Sequence, residues 1–175
     1  SLEGWFAHVP GLKVIAPATP EDARWMLPTA LADPNPVIIF EHATLYNDRG
    51  PVDPALGPVD LERAAVRRLG SDVTVIASAG MVPKALAAAD ALTALGVSAE
   101  VVDLRSLRPL DFDTLASSLA HTNRALVVDE GWRTGGLSAE IAASLTERCF
   151  WSLDAPVARL ASAEVPIPYA KHLEF

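Results

Sequence analysis

Thiols are almost absent from this sequence: one cysteine, Cys149, stands among 175 residues, which excludes an internal disulfide and any metal site built from several thiolates. Its apolar neighbours Leu145, Phe150 and Trp151 predict a buried, reduced thiol, and a cytoplasmic location is the expectation. Long apolar runs are missing too. No stretch approaches the roughly 18 residues of a membrane span, and no charged segment with a following apolar run and cleavage site opens the chain. Positive charge is the minority sign, with 14 Lys and Arg against 22 Asp and Glu and a formal net charge of −8. Phosphate backbones need a clustered positive field, so the charge argues against nucleic acid as a partner. The four histidines, His8, His42, His121 and His172, form neither an H-x-x-x-H nor an H-E-x-x-H pair, which argues against a transition-metal site. Glycine-rich phosphate loops are also wanting. Gly80, Gly96 and Gly135-Gly136 assemble neither a G-x-G-x-x-G nor a Walker loop, and Ser78 lacks the glycines of a nucleophile elbow. These glycines suit turns and helix ends, Gly96 as a left-handed C-cap and Gly135-Gly136 opening the last helix.

What is present is a foldable α/β pattern. Half of the residues are hydrophobic, and a chain of this size buries roughly 70% of its unfolded surface without needing disulfides or metal. Leu12 to Ala18 reads as a strand ended by Pro17 and Pro20. Thr19 then caps a helix that opens Pro20-Glu21-Asp22, its acidic pair suiting the helix dipole, and runs to about Ala32. Pro28 inside this segment predicts a bend or a local end. The apolar run Val37 to Phe40 reads as a strand buried on both faces, completing a βαβ unit. Gly50, Pro51, Pro54, Gly57 and Pro58 interrupt all periodicity, so residues 47–65 are expected to be a linker between units at 1–46 and 66–175. Beyond it, strands are predicted at Val73–Ala77, Ala99–Leu104, Ala125–Val128 and Val157–Leu160. Helices are predicted at Val82–Leu95, Asp111–Ala120 and Leu137–Arg148. This alternation implies a three-layer α/β/α fold with a mostly parallel sheet. Arg105, Arg108 and Pro109 follow a strand at its carboxyl edge, a usual ligand position, although pairing with Asp103, Asp111 or Asp113 at an interdomain contact is the favoured reading.

Several motifs go beyond what folding requires. They are Ser1-Leu2-Glu3-Gly4-Trp5-Phe6-Ala7-His8-Val9-Pro10-Gly11-Leu12-Lys13-Val14, Asp33-Pro34-Asn35-Pro36, Asp103-Leu104-Arg105-Ser106-Leu107-Arg108-Pro109, Val128-Asp129-Glu130-Gly131-Trp132, Leu153-Asp154-Ala155-Pro156 and Ala163-Glu164-Val165-Pro166-Ile167-Pro168-Tyr169-Ala170-Lys171-His172-Leu173-Glu174. In this series the chain resembles, from end to end, the beta subunit of thiamine-diphosphate-dependent 2-oxoacid dehydrogenases, the pyruvate and acetoin members in particular. The resemblance implies the tail of a pyrimidine-binding domain followed by a transketolase-type C-terminal domain. It implies oxidative decarboxylation of a 2-oxoacid and acylation of a lipoyl group. It also implies thiamine diphosphate with magnesium, held only in the full assembly of alpha and beta subunits.

The expected partners are the alpha subunit, a second beta subunit and the binding domain of the dihydrolipoyl acyltransferase. In that family the catalytic glutamate and histidine precede the motif at Ser1, so this chain is expected to be a piece of a longer polypeptide and inactive when isolated. His8 is the candidate that remains within it. Carried over by position, carbonyls of Ala30, Leu31, Asp33 and Asn35 would hold potassium, against the plainer reading of a helix-to-strand turn. Asp154 would receive a basic residue of the acyltransferase, or else simply turn the chain into its last strand. A docking module without catalysis, and another transketolase-type enzyme such as a deoxyxylulose-phosphate synthase, are the alternatives.

Overall fold

The computed structural model describes residues 2–168 and 170; Ser1, Tyr169 and 171–175, which include the end of the C-terminal motif, lie outside the described residues. The chain opens with α1 (Glu3–Ala7), which the sequence reading did not anticipate, and β1 (Lys13–Ile15). The helix α2 (Pro20–Ala32) starts as expected, with the Thr19 hydroxyl accepting from the Asp22 N–H at 3.1 Å and proline in the first turn. It continues through Pro28 to Ala32. The missing N–H of that proline is therefore absorbed within the helix rather than ending it. Next, β2 (Val37–Ile39) pairs parallel to β1. No helix or strand interrupts residues 47–64.

The second unit begins with an edge strand, β3 (Ala65–Arg68), followed by β4 (Val73–Ala77), α3 (Met81–Thr93), β5 (Ala99–Asp103), β6 (Ser106–Arg108), α4 (Phe112–Thr122), β7 (Ala125–Trp132), α5 (Leu137–Cys149) and β8 (Ala158–Ser162). Its sheet has the order β3-β5-β4-β7-β8, with β3 antiparallel and the other pairings parallel. The alternation along β4 decides the layers, because successive side chains face opposite sides of a strand. Val75 and Ala77 pack with Met81, Val82, Ala85 and Ala89 of α3. Ile76 points the other way, into a core with Leu115 and Leu119 of α4 and Ile141 and Leu145 of α5. Leu115, Leu119 and Leu145 are fully buried, so truncating any of them to alanine costs about 2–5 kcal/mol.

Two strands escape the expected pattern. The edge strand β3 straddles the expected border between linker and second unit at residue 65, and β6 falls where the sequence predicts only the carboxyl edge of the preceding strand. In fact β6 leaves the large sheet and pairs antiparallel with β1, giving a second sheet of order β2-β1-β6. The Ala16 N–H also donates to the Arg105 carbonyl at 2.8 Å. The first unit therefore builds its sheet partly from the second. Helix ends follow the sequence more closely: Asp111 caps α4 by accepting from the Thr114 N–H at 3.1 Å, and Gly96 adopts φ +78° just beyond α3. Among the described residues, no helix is long and apolar enough to cross a membrane.

Candidate functional site

Polar and acidic side chains gather where the parallel strands end. From the order of the large sheet, the chain runs from β4 to β5 on one side and then to β7 on the other, so the carboxyl ends of β4 and β7 mark the reversal point at which α/β sheets bind ligands. A cavity of about 120 Å³ lies there, lined by Ser78 and Ala79 after β4, Asp129 and Glu130 in β7, Gly135-Gly136, and Glu3 and Trp5 of α1. Asp129 is spent on the fold: its carboxylate accepts from the Gly131 N–H at 2.9 Å and the Ser138 N–H at 3.2 Å, ordering the entry to α5. Glu3 has a buried carboxylate oxygen with no partner among the described residues. Burial raises its pKa, and the neighbouring Glu130 and Asp129 push the same way. Such a carboxyl holds a proton to higher pH than an exposed glutamate.

Glu130 also ties the units together. Its Oε2 lies 2.6 Å from His42 Nε2, and Thr44 Oγ1 lies 2.7 Å from His42 Nδ1. A neutral imidazole satisfies both contacts if Nε2–H donates to Glu130 and Nδ1 accepts from the hydroxyl. The ring lies close over Gly80, where an added Cβ would meet its Cε1 and Nε2 at 2.8 Å. A second tie is ionic and buried. Arg67 of β3 donates from Nε and Nη2 to Asp103 Oδ2 at 3.1 and 2.8 Å, and it also pairs with Asp22 at the start of α2. Arg105 Nη2 lies 3.0 Å from the other Asp22 oxygen. Burial pushes the Asp103 carboxyl up to about 6, with the Arg67 charge opposing the shift.

The arginine expectation is thus right in kind and partly wrong in partners. Arg105 does hold the two units together, but through Asp22; Arg108 donates to the Ala7 carbonyl at 3.1 Å instead of reaching an aspartate. Asp111 is approached by Arg63, at 3.5 Å.

His8 caps the C-terminus of α1 and is exposed; its ring does not line the acidic cavity but a separate groove beside Arg108. At the end of α2, the Asp33 N–H donates to the Ala30 carbonyl at 3.3 Å, and Asp33 Oδ1 accepts from the Asn35 N–H at 2.8 Å. Lys13 Nζ lies 2.6 Å from Asp33 Oδ2, and its ammonium, with the Asn35 N–H, holds the Asp33 carboxyl below the usual range. Pro34 has no N–H and the Asn35 N–H is turned to a side chain, so the Leu31 carbonyl has no helical partner. The Asp33 carboxylate at this end of α2 is already neutralised by Lys13. Asp154 is exposed, pairing with Arg124 across 3.2 Å, and its N–H donates to the Asn123 carbonyl at 2.9 Å. Close by in sequence, Trp151 is 95% exposed. It meets the Phe150 ring edge-on with centroids 5.1 Å apart.

Residues 62–175 match the family model of the transketolase C-terminal domain, and residues 1–49 match that of the transketolase pyrimidine binding domain. The chain belongs to the transketolase C-terminal domain family. This transketolase-type chain is 47% identical over 174 residues to pyruvate dehydrogenase E1 component subunit beta-1, mitochondrial, of Arabidopsis thaliana, covering 97% of the chain and 48% of the relative. It is 42% identical over 172 residues to pyruvate dehydrogenase E1 component subunit beta of Bacillus subtilis (strain 168), covering 98% and 53%. The transketolase-type chain spans about half the length of the curated relatives it matches. Among solved structures it is similar to "Split gene transketolase, inactive beta4 tetramer", with a TM-score of 0.78 and 28% identity over 93% of this chain and 52% of the other. The expected fold class is therefore the observed one.

Sequence reasoning missed His42, Thr44, Glu3 and the Asp22–Arg67–Asp103 link. Glu3 and Glu130 lie within the motifs at 1–14 and 128–132, but no local spacing connects Glu130 to a histidine 88 positions earlier.

Proposed function

We propose that the chain acts within the beta subunit of a pyruvate dehydrogenase decarboxylating component, which oxidatively decarboxylates pyruvate and passes the acetyl group to a lipoyl group of the acyltransferase. The observation that carries this reading is 42–47% identity, over essentially the whole chain, to relatives named as such beta subunits. Thiamine diphosphate supplies the electron sink for decarboxylation. The described residues do not fit its diphosphate or magnesium: Glu3, Asp129 and Glu130 are the charged residues lining the cavity, all of them acidic, and no metal-holding cluster of His, Cys, Asp or Glu occurs among the described residues. In this reading the cofactor is bound by other parts of the alpha and beta assembly, and His8 is not a catalytic group.

The chain's own contribution is to position and to dock. The links from Arg67 to Asp22 and Asp103, and from His42 to Glu130, fix the first unit against the second. Carbonyls of Ala30, Leu31, Asp33 and Asn35 suit potassium, a hard cation that takes oxygen ligands at the negative end of a helix. Asp154, exposed and three residues after the exposed Trp151, suits a basic residue of the acyltransferase binding domain, where a charged contact steers association and sets register. The proposed partners are the alpha subunit, a second beta subunit and that binding domain.

The test is dye reduction by an assembly of this subunit with its alpha partner and thiamine diphosphate. Turnover of pyruvate well above that of branched-chain 2-oxoacids is expected. Absence of turnover with every 2-oxoacid by a well-folded assembly would reject the proposal.

A further inference from the structure

We propose that the groove between the α1–β1 loop, the β6–α4 loop and α5 is a docking surface for an acidic, partly apolar peptide segment of a partner protein. The groove is open and has a volume of about 810 Å³, within the roughly 300–1,000 Å³ of functional clefts. Leu110, Phe112 and Leu137 give it apolar surface, while His8, Arg108 and Arg148 give it basic groups. On a chain with a formal net charge of −8, this concentration of positive charge runs against the whole.

The two arginines are held in place without being neutralised. Arg108 donates one N–H to the Ala7 carbonyl at 3.1 Å. The Arg148 guanidinium stacks 4.2 Å over the Phe112 ring. Neither has a carboxylate within salt-bridge distance among the described residues. Arg63, Arg67, Arg68, Arg105 and Arg124 each meet an aspartate; Arg24, Arg133 and Arg159 are also without a carboxylate among the described residues, but they lie outside this groove, and Arg108 and Arg148 are the two arginines that line it. A guanidinium fixed by a carbonyl or a ring keeps donors for a carboxylate and loses little side-chain freedom on binding one. Lys13 also lines the groove but is already occupied by Asp33 and Glu62, at 2.6 and 2.8 Å. Glu140 is the one acidic residue among the lining residues, and it opposes an acidic guest. Charge complementarity together with apolar surface selects a peptide bearing both carboxylates and large aliphatic side chains.

The test uses the purified protein and a fluorescein-labelled short peptide of alternating glutamate and leucine, followed by anisotropy. A lysine-for-glutamate peptide serves as control. The acidic peptide is expected to bind and the lysine peptide not to. Affinity should fall about tenfold in Arg148→Gln and further when Arg108→Gln is added. Glu140→Gln should strengthen binding, a gain that misfolding cannot produce. Equal binding of both peptides, no binding of the acidic one, or an affinity indifferent to Arg148→Gln and Glu140→Gln would overturn the proposal. So would complete displacement by millimolar inorganic phosphate, which would mark a small-anion site. Peptide capture does not require turnover, so its failure and that of the catalytic reading are separable.

Discussion

The imidazole of His42 occupies the space that a side chain on Gly80 would need. Gly80 has an ordinary helical φ of −61°, so no left-handed backbone demands glycine there. The ring does, since an added Cβ would lie 2.8 Å from it. Gly80→Ala is therefore expected to displace His42 from Glu130 and destabilise the protein by about 1–3 kcal/mol. In a His42→Ala background the same change should cost much less, because the ring that the added Cβ would meet is gone. Denaturant unfolding of the four proteins of this cycle checks it, and additive costs would refute the steric account.

Asp103 should titrate far from an ordinary aspartate. Its carboxyl is pushed up from 3.8 to about 6 by burial. A group whose folded pKa exceeds its unfolded one binds its proton more tightly in the fold. Its contribution to stability is then greatest below about pH 3.8 and is lost as the pH rises through about 6. The carboxyl carbon resonance of Asp103 should titrate near the upper value. Arg67→Gln should move the midpoint higher still, because the guanidinium is what opposes desolvation. A lower midpoint in that variant would contradict this assignment.

Potassium should raise the melting temperature more than choline at equal ionic strength if the carbonyls of Ala30, Leu31, Asp33 and Asn35 hold it. Asp33→Ala removes the acceptor that turns the Asn35 N–H inward at 2.8 Å, so it should abolish the difference. Thermal scans of both proteins in the two salts provide the comparison. An identical response to potassium and choline in the parent protein would dismiss the site.

Asp154→Ala should weaken binding of the acyltransferase binding domain by about 1–3 kcal/mol, with much of the effect gone at high salt because exposed charges are screened over about 10 Å at 0.1 M. Stability should hardly change. The pair with Arg124 leaves the two side chains 56% and 57% exposed, and exposed pairs contribute about 0–1 kcal/mol. Calorimetric titration of the assembled subunits at two ionic strengths is the measurement. Equal affinities at low salt would assign Asp154 to the local turn alone.

The regular part of the second unit could be read from its alternation because the signals there are local. Val73–Ala77, Ala99–Asp103 and the capped helices each carry their own pattern within a few residues. What escaped reading depends on distant partners. Ser106–Arg108 is three residues long and polar at both ends, and becomes a strand only because Val14 and Ile15 lie opposite Arg108 and Ser106. The same holds for the candidate sites. The Asp33 turn and Asp154 were recognisable from short motifs, whereas the His42–Glu130 contact is visible only after β7 and the chain beyond β2 have been folded together.

The antiparallel seat of β6 beside β1 also bears on how such chains can be recombined. A junction placed between residues 47 and 64, where the helices and strands pause, looks like a natural seam for exchanging one half with that of a relative. Yet the graft would carry β6 away from the strand it completes, together with the Arg105 carbonyl that receives the Ala16 N–H. A viable chimera must bring matched residues at 13–16 and 105–108, so inheritance in this fold is constrained at a join far from the place where the sequence seems to come apart.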